Sequence, residues 1–132
     1  MRNFDTDILR IINAFESITG TEVRDCVCSE TIYFLINPGK MALAIGKNGQ
    51  NIKMAEKMLK KSIKIFEWSE DCEQFIKNMV PSTKKIDING GKATLSIETE
   101  SRGMVIGKKG SNIKIIREFL ERNSNIRDLK IL

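Results

Sequence analysis

Residues 45–53 read IGKNGQNIK and residues 106–114 read IGKKGSNIK. A Gly-Lys-x-Gly phrase suits an anion. Its glycines allow a tight turn and remove side chains that would block close approach to the backbone. If a helix starts directly after the second glycine, its unpaired N–H groups and the positive end of its dipole face whatever lies over the loop. Lys47 in the first copy, and Lys108 with Lys109 in the second, add mobile positive charge. An ammonium group on a flexible stem needs no fixed geometry, which fits a sugar-phosphate backbone better than one small ligand.

Other chemistries are excluded by residue type. A nucleotide-hydrolysing P-loop needs Gly, four residues, then Gly-Lys-Ser/Thr. Met41 and Arg102 stand where its first glycine belongs, and Asn48 and Lys109 where its metal-binding hydroxyl belongs. The chain has no histidine, which removes a His general base, a Ser-His or Cys-His pair and any His-containing zinc site. Three cysteines, Cys26, Cys28 and Cys72, make a poor tetrahedral site. Cys26 and Cys28 are two apart in an expected strand, so they share a face as small core residues. No enzyme activity, cofactor or metal is expected.

The net charge of +5 is unevenly spread. Residues 1–30 hold three basic and six acidic side chains, whereas residues 40–66 hold seven basic residues against Glu56 alone. Residues 101–117 hold five basic residues and no acid. Both positive stretches contain the repeated phrase, and a clustered basic surface is the footprint of a polyanionic partner. No apolar run approaches the ~20 residues that span a bilayer, and the start carries acids where a secretory signal would be basic. A cytoplasmic monomer without membrane association is expected, and the odd cysteine count fits a reducing compartment.

The phrases must be positioned by repeated elements. Shifted by 61 residues, AIGKNGQNIKMAEKML and VIGKKGSNIKIIREFL agree at eight of sixteen positions, which points to a duplicated unit. Phe4, Ile8, Ile11, Ile12, Phe15 and Ile18 are spaced for one helical face, with Asp5 or Thr6 at its start and Gly20 beyond its end. Cys72, Phe75, Ile76 and Met79 repeat that spacing, with Ser69 as N-cap and Pro81 as stop. TEVRDCVCSE and STKKIDING read as first strands, and Asn89-Gly90-Gly91 as a tight hairpin turn. In TIYFLI the residues Ile32, Phe34 and Ile36 share the buried face; in KATLSIE, Ala93, Leu95 and Ile97 do. SIKIFEW and IRDLKIL complete the units as short strands. Phe66 and Trp68, at the join, are expected to anchor the two units together.

With order and motif in hand, the chain resembles two consecutive KH domains, whose signature is Val/Ile-Ile-Gly-x-x-Gly-x-x-Ile and whose glycine loop clamps about four nucleotides of single-stranded nucleic acid. Helix, strand, strand, helix, helix, strand is similar to the type II arrangement. The implied fold class is α+β: two type II KH domains, 1–68 and 69–132, each a three-stranded sheet with helices on one face. As a tandem over nearly the whole chain, it is identified as a member of the NusA family, most similar to short archaeal NusA-like proteins. Bacterial NusA also has a polymerase-binding domain, an oligonucleotide-binding barrel and acidic repeats with no counterpart in this sequence.

The resemblance implies single-stranded RNA binding in transcription termination or antitermination, with RNA polymerase or elongation factors as further partners. The implied loop residues are Gly46, Lys47, Asn48 and Gly49, and Gly107, Lys108, Lys109 and Gly110. Ile45, Ile52, Ile106 and Ile113 match the aliphatic positions that shape the groove, and their larger role is expected in the core. Lys53, Lys57, Lys114 and Arg117 are expected as outer phosphate contacts, with an extended strand crossing both loops. The alternatives are a KH protein of ribosome assembly or RNA processing, and a non-enzymatic protein-interaction module.

Overall fold

The computed structural model describes residues 6–132; Phe4 and Asp5, assigned above to the first helix, lie outside the described residues. The chain divides into two compact units, Met1–Trp68 and Ser69–Leu132.

The first unit runs α1 (Thr6–Thr19), β1 (Val23–Cys28), β2 (Thr31–Ile36), α2 (Met41–Ile45), α3 (Gln50–Leu59) and β3 (Ser62–Glu67). The apolar stripe of α1 turns Ile12 and Phe15 into the core, with Ile8, Ile11 and Ile18 packed at its margin. Gly20, at φ 71°, ends the helix by donating its N–H to the Glu16 carbonyl at 2.8 Å. The Glu16 carboxylate then accepts from the Val23 N–H at 2.8 Å and fixes the start of β1.

β2 is the central strand, antiparallel to β1 and parallel to β3, with Ile32 opposite Ile63 and Phe34 opposite Ile65. Parallel neighbours need a long crossover. Here the crossover is α2, the glycine loop and α3, so the loop is held at both ends by packed elements. Phe15 stacks on Phe34 with ring centroids 4.0 Å apart. Removing such a ring costs about 3–5 kcal/mol, a large part of a small domain's stability.

One expectation changes in this unit. β2 buries both faces, since Tyr33 and Leu35 are buried along with Ile32, Phe34 and Ile36. Tyr33 stacks against Phe66 at a centroid distance of 6.2 Å, so an aromatic pair covers the side that alternation assigns to solvent. Within the first unit the Trp68 backbone N–H donates to the Ile36 carbonyl at 2.9 Å, and the Arg24 guanidinium lies 3.5 Å from the Trp68 ring centroid. Cys26 and Cys28 do share a face, with Sγ atoms 3.8 Å apart and Cys26 in the core.

The second unit repeats the order: α4 (Cys72–Met79), β4 (Thr83–Asn89), β5 (Lys92–Ile97), α5 (Arg102–Ile106), α6 (Ser111–Asn123) and β6 (Asp128–Ile131). β5 is central, antiparallel to β4 and parallel to β6, with Ala93 opposite Leu129. Both units carry a register shift at the same place, between Val23 and Asp25 and between Thr83 and Lys85. The β4–β5 turn is Gly90-Gly91, at φ 55° and 87°, as a two-residue turn with positive φ at both centres requires.

The N-cap of α4 is Asp71, not Ser69. Asp71 is extended, and its Oδ1 accepts from the Glu73 N–H at 3.3 Å. The Ser69 hydroxyl instead accepts from the Asp71 N–H at 3.2 Å, two residues too early to reach the first helical amides. The result is an α+β chain with two three-stranded mixed sheets.

Candidate nucleic-acid interface

The two glycine loops have nearly the same backbone. Gly46 lies at φ 79°, ψ 170° and Gly107 at φ 78°, ψ 172°. Asn48 lies at φ 56°, ψ 27° and Lys109 at φ 56°, ψ 29°. Gly49 and Gly110 are left-handed, at φ 73° and 74° with ψ 17° in each. Each loop opens where the first glycine ends the short helix, Gly46 N–H donating to Ala42 at 2.9 Å and Gly107 N–H to Gly103 at 2.9 Å. It closes where the second glycine donates back to the first at 3.1 Å in both copies.

The first glycine is required twice over. A Cβ on Gly46 would sit 2.8 Å from the backbone nitrogen of Asn51, and one on Gly107 would sit 2.8 Å from that of Asn112. The second is required by its dihedral angles, since a Cβ on Gly49 would meet only Lys53 and Ile52 at ordinary contact distance.

The close approach at the first glycine is held by two residues that sequence reasoning passed over. Asn51 Nδ2 donates to the Leu43 carbonyl at 2.9 Å, and Asn112 Nδ2 to the Met104 carbonyl at 2.8 Å. Each ties the N-terminal turn of the long helix to the last turn of the short one, across the loop. The signal was present as an identical Asn two residues after the second glycine in both copies.

α3 and α6 start at Gly49 and Gly110 with no side-chain cap. A helix of ten or thirteen residues therefore presents its dipole and first-turn N–H groups beside a loop without a competing side-chain acceptor. Lys47, Asn48, Lys108 and Lys109 are exposed on the loops, and Lys53, Lys57 and Lys114 are exposed on the helices that follow. Each unit thus gathers its loop lysines with Lys53 or Lys114 toward one helix N-terminal end, whereas Lys57 lies in the last turn of α3.

Arg117 is placed differently. Its Nε and Nη2 donate to the Leu129 carbonyl at 3.2 and 2.9 Å, so the guanidinium ties α6 to β6. The same join in the first unit has the opposite polarity, the Glu56 carboxylate accepting from the Ile63 N–H at 2.9 Å. Its guanidinium is thus a structural tie, whatever else reaches it from solvent.

The aliphatic positions divide. Ile113 is buried and Ile52 packs against the core cluster, but Ile106 is half-buried and Ile45 is 37% exposed. The larger core role expected of all four fails at Ile45. It is the last residue of a five-residue helix, where the chain turns away into the loop before the side chain can be covered.

Among the described residues, no group of three or more His, Cys, Asp or Glu side chains is placed to hold a metal ion. No helix among them is long and apolar enough to cross a membrane.

A family model described as KH domain matches residues 10–70 and again residues 67–131. The chain is 32% identical over 134 residues to the "Probable transcription termination protein NusA" of Methanocaldococcus jannaschii, covering 96% of this chain and 73% of that one. It is 30% identical over 129 residues to the protein of the same description from Halococcus morrhuae, covering 93% of each. A solved structure described as "Crystal structure of APE1850" superposes with a TM-score of 0.76 over 98% of this chain and 100% of its own, at 29% identity. Two KH matches over a duplicated helix–strand–strand–helix–helix–strand unit, with relatives of one description along the same span, establish that the chain belongs to the KH-domain family as a tandem type II member of its archaeal NusA-like branch.

Proposed function

We propose that each Gly-Lys-x-Gly loop clamps the sugar-phosphate backbone of single-stranded RNA, and that the chain uses this grip in transcription termination or antitermination. The observation that carries the reading is the pair of matched loops, each at the uncapped N-terminus of a helix and each bearing exposed lysine. Phosphates over the loop gain first-turn amides, the helix dipole and Lys47, or Lys108 with Lys109. Bases meet aliphatic surface, and Ile45 is exposed enough to offer it. With no aromatic side chain in either loop phrase, recognition rests on apolar contact and edge hydrogen bonds more than on stacking. Two modest sites on one chain raise apparent affinity through effective concentration. The descriptions of the relatives as transcription termination proteins support transcription as the setting, and RNA polymerase or an elongation factor is our proposal for a further partner.

The test is a charge reversal in each loop: Lys47→Asp with Asn48→Asp, and Lys108→Asp with Lys109→Asp. Fluorescence anisotropy with short single-stranded RNAs should show at least a tenfold loss for either pair, with unchanged circular dichroism. Folded variants that bind RNA as the parent does would sink the loop assignment. An interaction module without RNA would instead show a protein complex insensitive to salt and to both variants.

A further inference from the structure

The two long helices of the duplicated units treat one face in opposite ways. On α6, Ile115 and Phe119 are buried, at 7% and 0% exposure. The equivalent positions of α3, one 61-residue shift away, are Met54 and Met58, at 49% and 61% exposure. They lie one turn apart, to one side of the Ile52, Ala55 and Leu59 face that meets the core. So α3 leaves open an apolar helix face whose counterpart on α6 is buried.

The charge beside that face also differs. α3 and its C-terminal end carry Lys53, Lys57, Lys60 and Lys61, where the second unit has Lys114, Glu118, Glu121 and Arg122. In the second unit the signs offset one another, and Arg122 pairs with Glu118 at 3.8 Å. In the first, the acid of α3, Glu56, is turned to the Ile63 N–H, away from the lysines. The Met54–Met58 stripe therefore runs through a positive field of one sign.

We infer that the Met54–Met58 face of α3 is a docking surface for an acidic amphipathic segment of a partner protein, distinct from the RNA loops. Exposed methionines are flexible and polarizable, and they suit an apolar partner face of adaptable shape. Flanking lysines select a partner with carboxylates beside that face and steer its approach. RNA would use the lysines, but the apolar surface proposed for its bases is Ile45 beside the first glycine, whereas Met54 and Met58 lie beyond the loop phrase along α3. A methionine pair bordered by lysines thus favours protein over nucleic acid.

The full chain labelled with ¹³C at its six methionine methyls reads the proposal directly. The probe is a synthetic helical peptide with leucines at i, i+3, i+4 and i+7 and glutamates elsewhere. Its shuffled isomer and a single-stranded RNA serve as competitors. The Met54 and Met58 methyls should shift on peptide addition while the exposed Met104 methyl stays in place. Met54→Gln with Met58→Gln should weaken peptide binding at least tenfold and leave RNA affinity within twofold. Equal binding of the shuffled peptide, no shift at Met54 and Met58, or equal shifts with RNA would each overturn the proposal. So would methyl shifts that follow protein concentration alone, because a second copy of the chain would then be the occupant.

Discussion

Asn51 reaches across the first glycine loop to the Leu43 carbonyl, eight residues earlier, at 2.9 Å, and Asn112 makes the same reach to Met104 at 2.8 Å. The bond closes the corner between two helices whose backbones come too near at Gly46 and Gly107 for any Cβ. Asn51→Asp keeps the size but removes the donor. It should lower stability by about 1 kcal/mol in urea denaturation and weaken RNA binding more than Asn51→Ala, because it also sets a carboxylate beside the phosphate site. If the aspartate variant binds RNA like the parent, the amide does not shape the loop.

The two glycines of one loop should differ in cost. Gly49→Ala meets no close atom and suffers only its left-handed backbone, about 1 kcal/mol. Gly46→Ala adds a 2.8 Å collision with the Asn51 backbone and should cost clearly more. Equal denaturation midpoints for the two variants would contradict the packing described at Gly46.

Lys109 holds the same left-handed conformation as Asn48, which a lysine adopts less readily than an asparagine. Lys109→Asn should therefore stabilise the chain by roughly 0.5–1 kcal/mol. If Lys109 contacts a phosphate, the slope of log affinity against log salt should fall in magnitude by about 0.7. Asn48→Lys should move both quantities the other way. A stability gain with no change in slope would leave Lys109 outside the RNA contact.

Arg117 and Lys114 should separate structure from binding. Arg117→Ala leaves the Leu129 carbonyl without its two guanidinium bonds and should cost about 1–2 kcal/mol of stability. Its RNA affinity should stay within a few-fold. Lys114→Ala, on an exposed side chain, should leave stability within about 0.5 kcal/mol and weaken RNA binding. The opposite pattern would return Arg117 to the phosphate contacts.

Much of the fold is legible in the chain because its cues are local. The α1 stripe, Gly20, the Gly90-Gly91 turn and the doubled glycine phrase each depend on residues within a turn or two of one another. Duplication then doubled the signal, since two copies that agree at eight of sixteen aligned positions, seven of them from Ile45 to Lys53, expose the frame of the loop. The same comparison contained Asn51 and Asn112, but their purpose is a bond to a carbonyl eight residues away, which residue type alone does not reveal.

What only the tertiary structure decided is which side chains were already occupied or covered. Arg117 is basic and near the loop in sequence, yet β6 brings the Leu129 carbonyl to it. Tyr33 and Leu35 sit on the strand face that alternation gives to water, yet both are buried. Ile45 matches an aliphatic position and is left exposed, while Met54 and Met58 are open where Ile115 and Phe119 are closed. Periodicity tells which way a side chain points along its own element. Burial also depends on what another element places opposite it, and that is a property of packing at long range.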